Sequence, residues 1–160
     1  MAEKVMRHQA RYPMDKLPIV FASDWLPASI AIKLFTVSRW SHVGIIDGDY
    51  VIDTQLMTGC IRTPIEEWKK KHSDFCITYI DCKDKQKAID FARAQVGTKY
   101  DWRGIIGLAV RKGELQEKKK WFCSELVIEA TGLLKKQNFR ASPQTVWFLS
   151  QCLDLEKSPN

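Results

Sequence analysis

A single thiol stands in Trp121-Phe122-Cys123-Ser124-Glu125-Leu126-Val127-Ile128-Glu129-Ala130, at a place where it can act as a nucleophile. The lysine-rich run Glu114 to Lys120 before it reads as a solvated loop. After it Phe122, Leu126, Val127 and Ala130 recur at helical spacing until Gly132 supplies a stop, so Cys123 falls in the first turn of a helix. Unpaired backbone N–H groups at such a terminus favour a thiolate and can also hold an oxyanion. A free thiol titrates near ~8.5 and a helix terminus contributes roughly 0.3–1 kcal/mol, less than about one pKa unit at ~1.36 kcal/mol per unit. A second activator is required, either a base or an imidazolium.

Of the three histidines, His8, His42 and His72, only His42 lies inside a predicted core element rather than in a terminal or charged stretch. On an alternating strand His42, Gly44 and Ile46 share one face, and Val43 and Ile45 share the other. Asp53 lies across the following turn, where a carboxylate can accept from one ring nitrogen, fix the tautomer and stabilise an imidazolium. The same residues also admit a plain reading. Cysteine is among the most buried residue types, so Cys123 can be packing, as Cys60, Cys76, Cys82 and Cys152 are expected to be. His42 can be a satisfied strand histidine and Asp53 a surface acid beside a turn. Around them Tyr100 can line a cleft and donate to an oxyanion or belong to the core, and Trp40 and Trp121 are equally cleft walls or core. Ser124 is expected to contribute its backbone N–H rather than a nucleophilic hydroxyl, and Glu125 is a first-turn acid favoured by the helix dipole.

The elements that must position these groups follow from patterning. Pro18 to Ala22 is short, apolar and β-compatible, and Pro27 opens an apolar helix through Phe35. Trp40 to Ile46 and Tyr50 to Thr54 form a hairpin about Asp47-Gly48-Asp49. Gly59 to Thr63 extends the sheet, Pro64 opens a short helix through Trp68, and Phe75 to Ile80 is a further strand. Asp84 caps a helix that Gly97 ends, Tyr100 begins a short helical or turn segment through Leu108, and Ser142-Pro143 starts a last helix reaching Leu149. The chain divides into an irregular leader over 1–16, one domain over 17–153 and a polar tail over 154–160.

With 160 residues, 45% of them hydrophobic, one domain can bury a real core without a metal or disulfide staple. The net charge of +6 attracts acidic partners, but the lysine runs Lys69 to Lys71 and Lys118 to Lys120 lack interleaved aromatics and read as solvated faces, so no nucleic-acid partner is expected. Five cysteines at scattered spacings argue against a disulfide scaffold or structural zinc, and no cofactor or metal is expected. A polar start without an apolar export segment points to a cytoplasmic protein as synthesised. No apolar run approaches the ~20 residues of a membrane span.

Several segments in order carry a family resemblance. They are Arg39-Trp40-Ser41-His42-Val43-Gly44-Ile45-Ile46, Val51-Ile52-Asp53-Thr54, Gly59 to Trp68, Gly97-Thr98-Lys99-Tyr100-Asp101-Trp102-Arg103-Gly104, and Phe122-Cys123-Ser124-Glu125-Leu126-Val127. Together they resemble the circularly permuted branch of the NlpC-type papain-like cysteine hydrolases, in which the histidine strand precedes the cysteine helix. The resemblance implies an α+β papain-like fold, with a small, mostly antiparallel sheet packed against the cysteine helix. It implies Cys123 as nucleophile, His42 as general base and a polar third member at Asp53. That third position often holds glutamate, one methylene longer, and Thr54 or Gln55 are alternatives to Asp53. The related lecithin:retinol acyltransferase-like proteins place a second histidine where this chain has Ile52-Asp53-Thr54, which favours amide chemistry over lipid acyl transfer. The implied partner is a peptide or bacterial cell-wall fragment, reached by phage lysis or a secretion route; the alternatives are a lipid ester substrate or a non-catalytic binding or virion module.

Overall fold

An interior strand of the sheet is an apolar one, Leu17-Pro18-Ile19-Val20-Phe21-Ala22, paired along both edges and packed on both faces. The structure is a computed structural model that describes residues 15–24, 29–30, 33–34, 37–55, 57–72, 74–99, 122–133 and 141–155, the last five by backbone alone. Five strands, β1 (Asp15–Ser23), β2 (His42–Asp47), β3 (Tyr50–Gln55), β4 (Gly59–Pro64) and β5 (Asp74–Cys82), form one sheet in the order β4-β3-β2-β1-β5. Every pairing is antiparallel. Pro18 lies one step outside the β1–β2 ladder, which begins at the Ile19–Ile45 pair, so its missing N–H removes no bond to β2.

Four helices with defined bounds follow: α1 (Ile65–Lys71), α2 (Lys85–Gln95), α3 (Cys123–Thr131) and α4 (Pro143–Leu155). Alternation along the strands splits the core in two. Leu17, Ile19, Phe21, Val43, Ile45 and Ile52 face α2, α3 and α4, where Ala88, Ile89, Ala92, Leu126, Val127 and Val146 close the larger core. On the other face Val20, Ala22, Ile46 and Val51 pack against Trp68 and Ile65 of α1. The α+β architecture is the one expected.

The helix starts obey the capping rules. Asp84 accepts the Lys87 N–H at 3.0 Å, and the Ser142 hydroxyl accepts the Thr145 N–H at 3.2 Å. Gly132 ends α3 in the left-handed region at φ 63°. Asp47, buried at the β2–β3 turn, takes Arg93 Nη2 at 2.7 Å and Arg62 Nε at 3.0 Å, which ties the hairpin to α2 and β4 and holds its carboxyl below the usual range.

Three expectations change in detail. Helix α4 runs to Leu155 rather than Leu149, because no glycine or proline interrupts it, and it takes up the first residues of the supposed tail. Among the described residues of the helix read after Pro27, Ile30 is 36% and Leu34 74% exposed, so these two apolar side chains are not in the core where the apolar pattern set them. The second strand starts at His42 rather than Trp40. The segments predicted over 100–121, including Tyr100 and Trp121, lie outside the described residues, as does His8.

Candidate active site

The register of the hairpin brings His42 and Asp53 together. Ile45 pairs with Ile52 at the end of the ladder, and just beyond it Gly44 stands against Asp53. A β-carbon at Gly44 would stand 3.1 Å from Asp53 Cβ and 2.7 Å from Val51 Cγ1. Glycine therefore leaves the room into which the aspartate packs, between His42 and Ile46 on the same face of β2. From there Asp53 Oδ2 accepts from His42 Nε2 at 2.7 Å. The shorter carboxylate reaches the imidazole without the extra methylene.

Asp53 is fully buried and well supplied with donors. Trp68 Nε1 donates to the same Oδ2 at 2.6 Å, and Gln55 Nε2 lies 3.4–3.5 Å from the two oxygens. Burial alone would raise the carboxyl pKa; the bond and charge of His42, together with Trp68 and Gln55, overcome this and lower it. Gln55 thus supports Asp53 rather than replacing it. Thr54, the other alternative, is buried with its hydroxyl unpartnered.

Cys123 is the first residue of α3, behind an N-cap Phe122 in extended conformation at φ −89° and ψ 149°. Phenylalanine cannot cap with its side chain, but the Glu125 carboxylate reaches back and accepts the Phe122 N–H at 3.3 Å. The Ser124 hydroxyl, fully buried, donates to the Ala141 carbonyl and anchors α3 to the start of α4. That bond commits the hydroxyl to the scaffold. The thiol of Cys123 is buried, at 1% exposure, and stands near enough to the imidazole of His42 to act on its protonation. Since Nε2 is engaged by Asp53, Nδ1 is the ring atom left for the sulfur. Burial pulls the imidazole pKa down, but hydrogen bonds and charge from Asp53 and Cys123 outweigh it and raise His42 to about 10. An imidazolium at neutral pH is the form such a site favours.

A second histidine stands beside the first. His72, at the C-cap of α1, bonds through Nδ1 to Asp24 Oδ2 at 2.7 Å, and its ring lies nearly parallel to that of His42, centroids 5.7 Å apart. Trp68 flanks both rings, 4.0 Å from His72 and 6.3 Å from His42. Reasoning from sequence passed over His72, Asp24, Trp68 and Gly44. The available signal was the four-residue spacing of Trp68 and His72, which puts both on one side of a helix.

Trp40 takes the core alternative. It is 1% exposed and packs against Phe21 at 5.7 Å and Trp147 at 5.3 Å. Gly97 N–H donates to Cys60 O and Cys60 N–H to Thr98 O, both at 2.8 Å, which docks residues 97–98 along β4. A side chain at Gly59 would collide with the Thr98 carbonyl oxygen. Among the described residues no three histidine, cysteine, aspartate or glutamate side chains are grouped so as to hold a metal ion, and no helix is long and apolar enough to cross a membrane.

The sequence model of the permuted papain-like amidases, described as the YaeF/YiiX, C92 family, matches residues 19–137, well over half of the chain. The chain belongs to this family. The family is described as one of amidase enzymes. Among solved structures, one similar in fold is YiiX from Escherichia coli O157:H7, described as a metalloprotein, with a TM-score of 0.54 and 20% identity. That similarity covers 72% of this chain and 63% of YiiX. No curated protein matches. Membership establishes the permuted papain-like architecture expected from the order of the histidine strand and the cysteine helix; the narrower kinship with NlpC-type enzymes is not part of what the match establishes.

Proposed function

We propose that this member of the family hydrolyses an amide bond through Cys123, His42 and Asp53 by way of an acyl-enzyme. The observation that carries the reading is the convergence on one imidazole: His42 holds Asp53 through Nε2 at 2.7 Å, and the sulfur of Cys123 acts on the same ring. The reacting form is a thiolate paired with the His42 imidazolium. The thiolate attacks the amide carbonyl carbon, and backbone N–H groups at the start of α3 stabilise the oxyanion. His42 passes its proton to the departing nitrogen as the C–N bond breaks, which leaves a thioester and a free amine. Water then adds to the thioester, giving a proton to His42, and its collapse releases the carboxylic acid and restores the pair. Asp53 fixes the tautomer and balances the imidazolium charge throughout.

The substrate class that fits is a peptide amide, including peptides of bacterial cell-wall material. The test is amine release from a panel of peptides and wall fragments, run beside fatty-acid release from lipid esters, with intact-mass detection of an adduct on Cys123. Amine release with a trapped adduct, both lost in Cys123→Ala and His42→Ala, is the expected result. Fatty-acid release without amine release would move the enzyme to ester chemistry, and turnover surviving in Cys123→Ala would remove the mechanism.

A further inference from the structure

Resting on the reading of His42 and Cys123 as the reacting pair, we infer that Gln144, in the first turn of α4, is a positioning residue that sets the distance between imidazole and sulfur. The two groups come from separate elements. The sheet holds the backbone of His42 opposite Ala22, but α3 lies on the sheet through apolar side chains such as Leu126 and Val127. Apolar packing has no direction, so it resists separation better than a slide along the helix axis. An error of about 1 Å between reacting groups can cost about a hundredfold in rate. A polar tie between the α3 side and the β2 side is what stops the slide.

The start of α4 supplies both ends of that tie. Ser124, next to Cys123, donates its buried hydroxyl to the Ala141 carbonyl. Just beyond, Gln144 Oε1 accepts the Arg39 N–H at 3.1 Å and stands 3.3 Å from the Ser38 hydroxyl. The turn between these two ends is locked: the Ser142 N–H donates to Thr145 Oγ1 at 3.3 Å, and the Thr145 N–H donates to the Ser142 hydroxyl at 3.2 Å. Trp147, one turn along the same side of the helix as Gln144, packs against Trp40 with centroids 5.3 Å apart. From Arg39 the chain reaches His42 through Trp40 and Ser41, whose N–H donates to the Ala22 carbonyl at 3.0 Å.

The segment held by Gln144 is strained. The Ser38 N–H reaches back to the Lys33 carbonyl at 3.0 Å across Val37, whose φ is 49°. Glycine usually occupies such a closure, and a β-branched residue in the left-handed region is costly. Val37 is 88% exposed, so packing does not offset the strain. A conformation of this kind persists only where its surroundings over-determine it. Ser38 has one hydroxyl hydrogen, which lies closest to the Trp40 carbonyl at 2.5 Å, and its oxygen accepts the Trp40 N–H at 3.0 Å. The Arg39 N–H is left to Gln144. Its carbonyl oxygen thus joins the strained turn before His42 to the helix that anchors Cys123.

The test is the rate at which iodoacetamide labels Cys123 at neutral pH, read by peptide mass spectrometry, with Cys60 of the same chain as the control for folding. Gln144→Met keeps the length of the side chain and loses the acceptor, whereas Gln144→Glu keeps the acceptor. The Met variant should label Cys123 about three- to tenfold more slowly than the unaltered protein, the size of one hydrogen bond, and the Glu variant within about twofold of it. Cys60 should stay slow in both. Rescue by glutamate is a result that packing alone would not give. Equal rates in the two variants, a Met variant as fast as the unaltered protein or faster, or slow Cys123 labelling accompanied by faster labelling of Cys60 would each overturn the proposal. Ser124→Ala cuts the other end of the tie, so its effect should not add to that of Gln144→Met in the double variant; full additivity would show that the two ends are uncoupled and overturn it as well. If His42→Ala leaves the labelling rate unaltered, the reacting pair itself fails, whereas a slow His42→Ala beside an unchanged Gln144→Met rejects Gln144 alone.

Discussion

Trp68 Nε1 donates to Asp53 Oδ2 at 2.6 Å, the same oxygen that His42 Nε2 holds at 2.7 Å. One carboxylate oxygen therefore orders two rings from opposite elements, β2 and α1. A buried carboxylate with fewer donors would rise in pKa and hold the imidazolium less firmly.

Trp68→Phe removes that donor while keeping most of the ring volume. Hydrogen bonds to charged groups are worth about 1.5–3 kcal/mol, so kcat/KM should fall by roughly 10- to 100-fold and the fold should lose a similar free energy. Peptide hydrolysis and urea denaturation check the two parts. A variant as active as the parent would mean that Asp53 needs only His42 and Gln55.

The space at Gly44 makes a second prediction. Gly44→Ala would bring a methyl within 2.7 Å of Val51 Cγ1 and 3.1 Å of Asp53 Cβ, and Asp53→Glu would push an extra methylene into the same packed face. Each should cost about 1–3 kcal/mol of stability, as overpacked sites do. Both should also reduce hydrolysis more than the loss of stability explains, because the carboxylate is displaced from Nε2. Thermal melts beside initial rates separate the two effects. A fully active Asp53→Glu would show that β2 and β3 adjust their spacing freely.

Much of this arrangement was legible before the fold was known. Alternation and the Asp47-Gly48-Asp49 turn are local signals, so β2, β3 and the face shared by His42, Gly44 and Ile46 could be read directly. Cys123 announced itself because the helix after it is periodic and ends in a glycine. What escaped is non-local. Nothing near Asp53 indicates that an indole from α1 will reach it, and His72 follows Lys69-Lys70-Lys71, whose charge suggested a solvated face although Trp68 and His72 turn inward together. Trp40 could equally have lined a cleft, and only the approach of Phe21 and Trp147 assigns it to the core.

Thiol chemistry should discriminate sharply between two buried cysteines. Burial, assisted by the negative charge of Asp53, pushes the Cys60 thiol up to about 12, whereas Cys123 stands beside the His42 imidazole. Iodoacetamide at neutral pH should therefore label Cys123 well before Cys60, by at least about tenfold, since the thiolate is the reacting form. Cys60→Ala should leave the labelling of Cys123 unchanged. Equal labelling of both sulfurs in folded protein would contradict an activated thiol at position 123.

The pH dependence of stability should carry the mark of the two histidines in opposite directions. His42 titrates at about 10 when folded and near 6.5 when not, so it binds a proton more tightly in the folded chain. The stability this supplies is fully present below pH 6.5 and is lost as pH rises through about 10. His72 is lowered from 6.5, so the unfolded chain takes up its proton first and stability falls as pH drops below that value. Asp53, lowered from 3.8, adds a further loss in stronger acid, as pH falls through its depressed value. Thermal melts of the unaltered protein should therefore peak near neutrality and decline on both sides. His42→Ala should flatten the alkaline decline, and His72→Phe should flatten the part of the acid decline that begins just below pH 6.5. An alkaline limb that persists undiminished in His42→Ala would show that the imidazole does not hold its proton in the folded state.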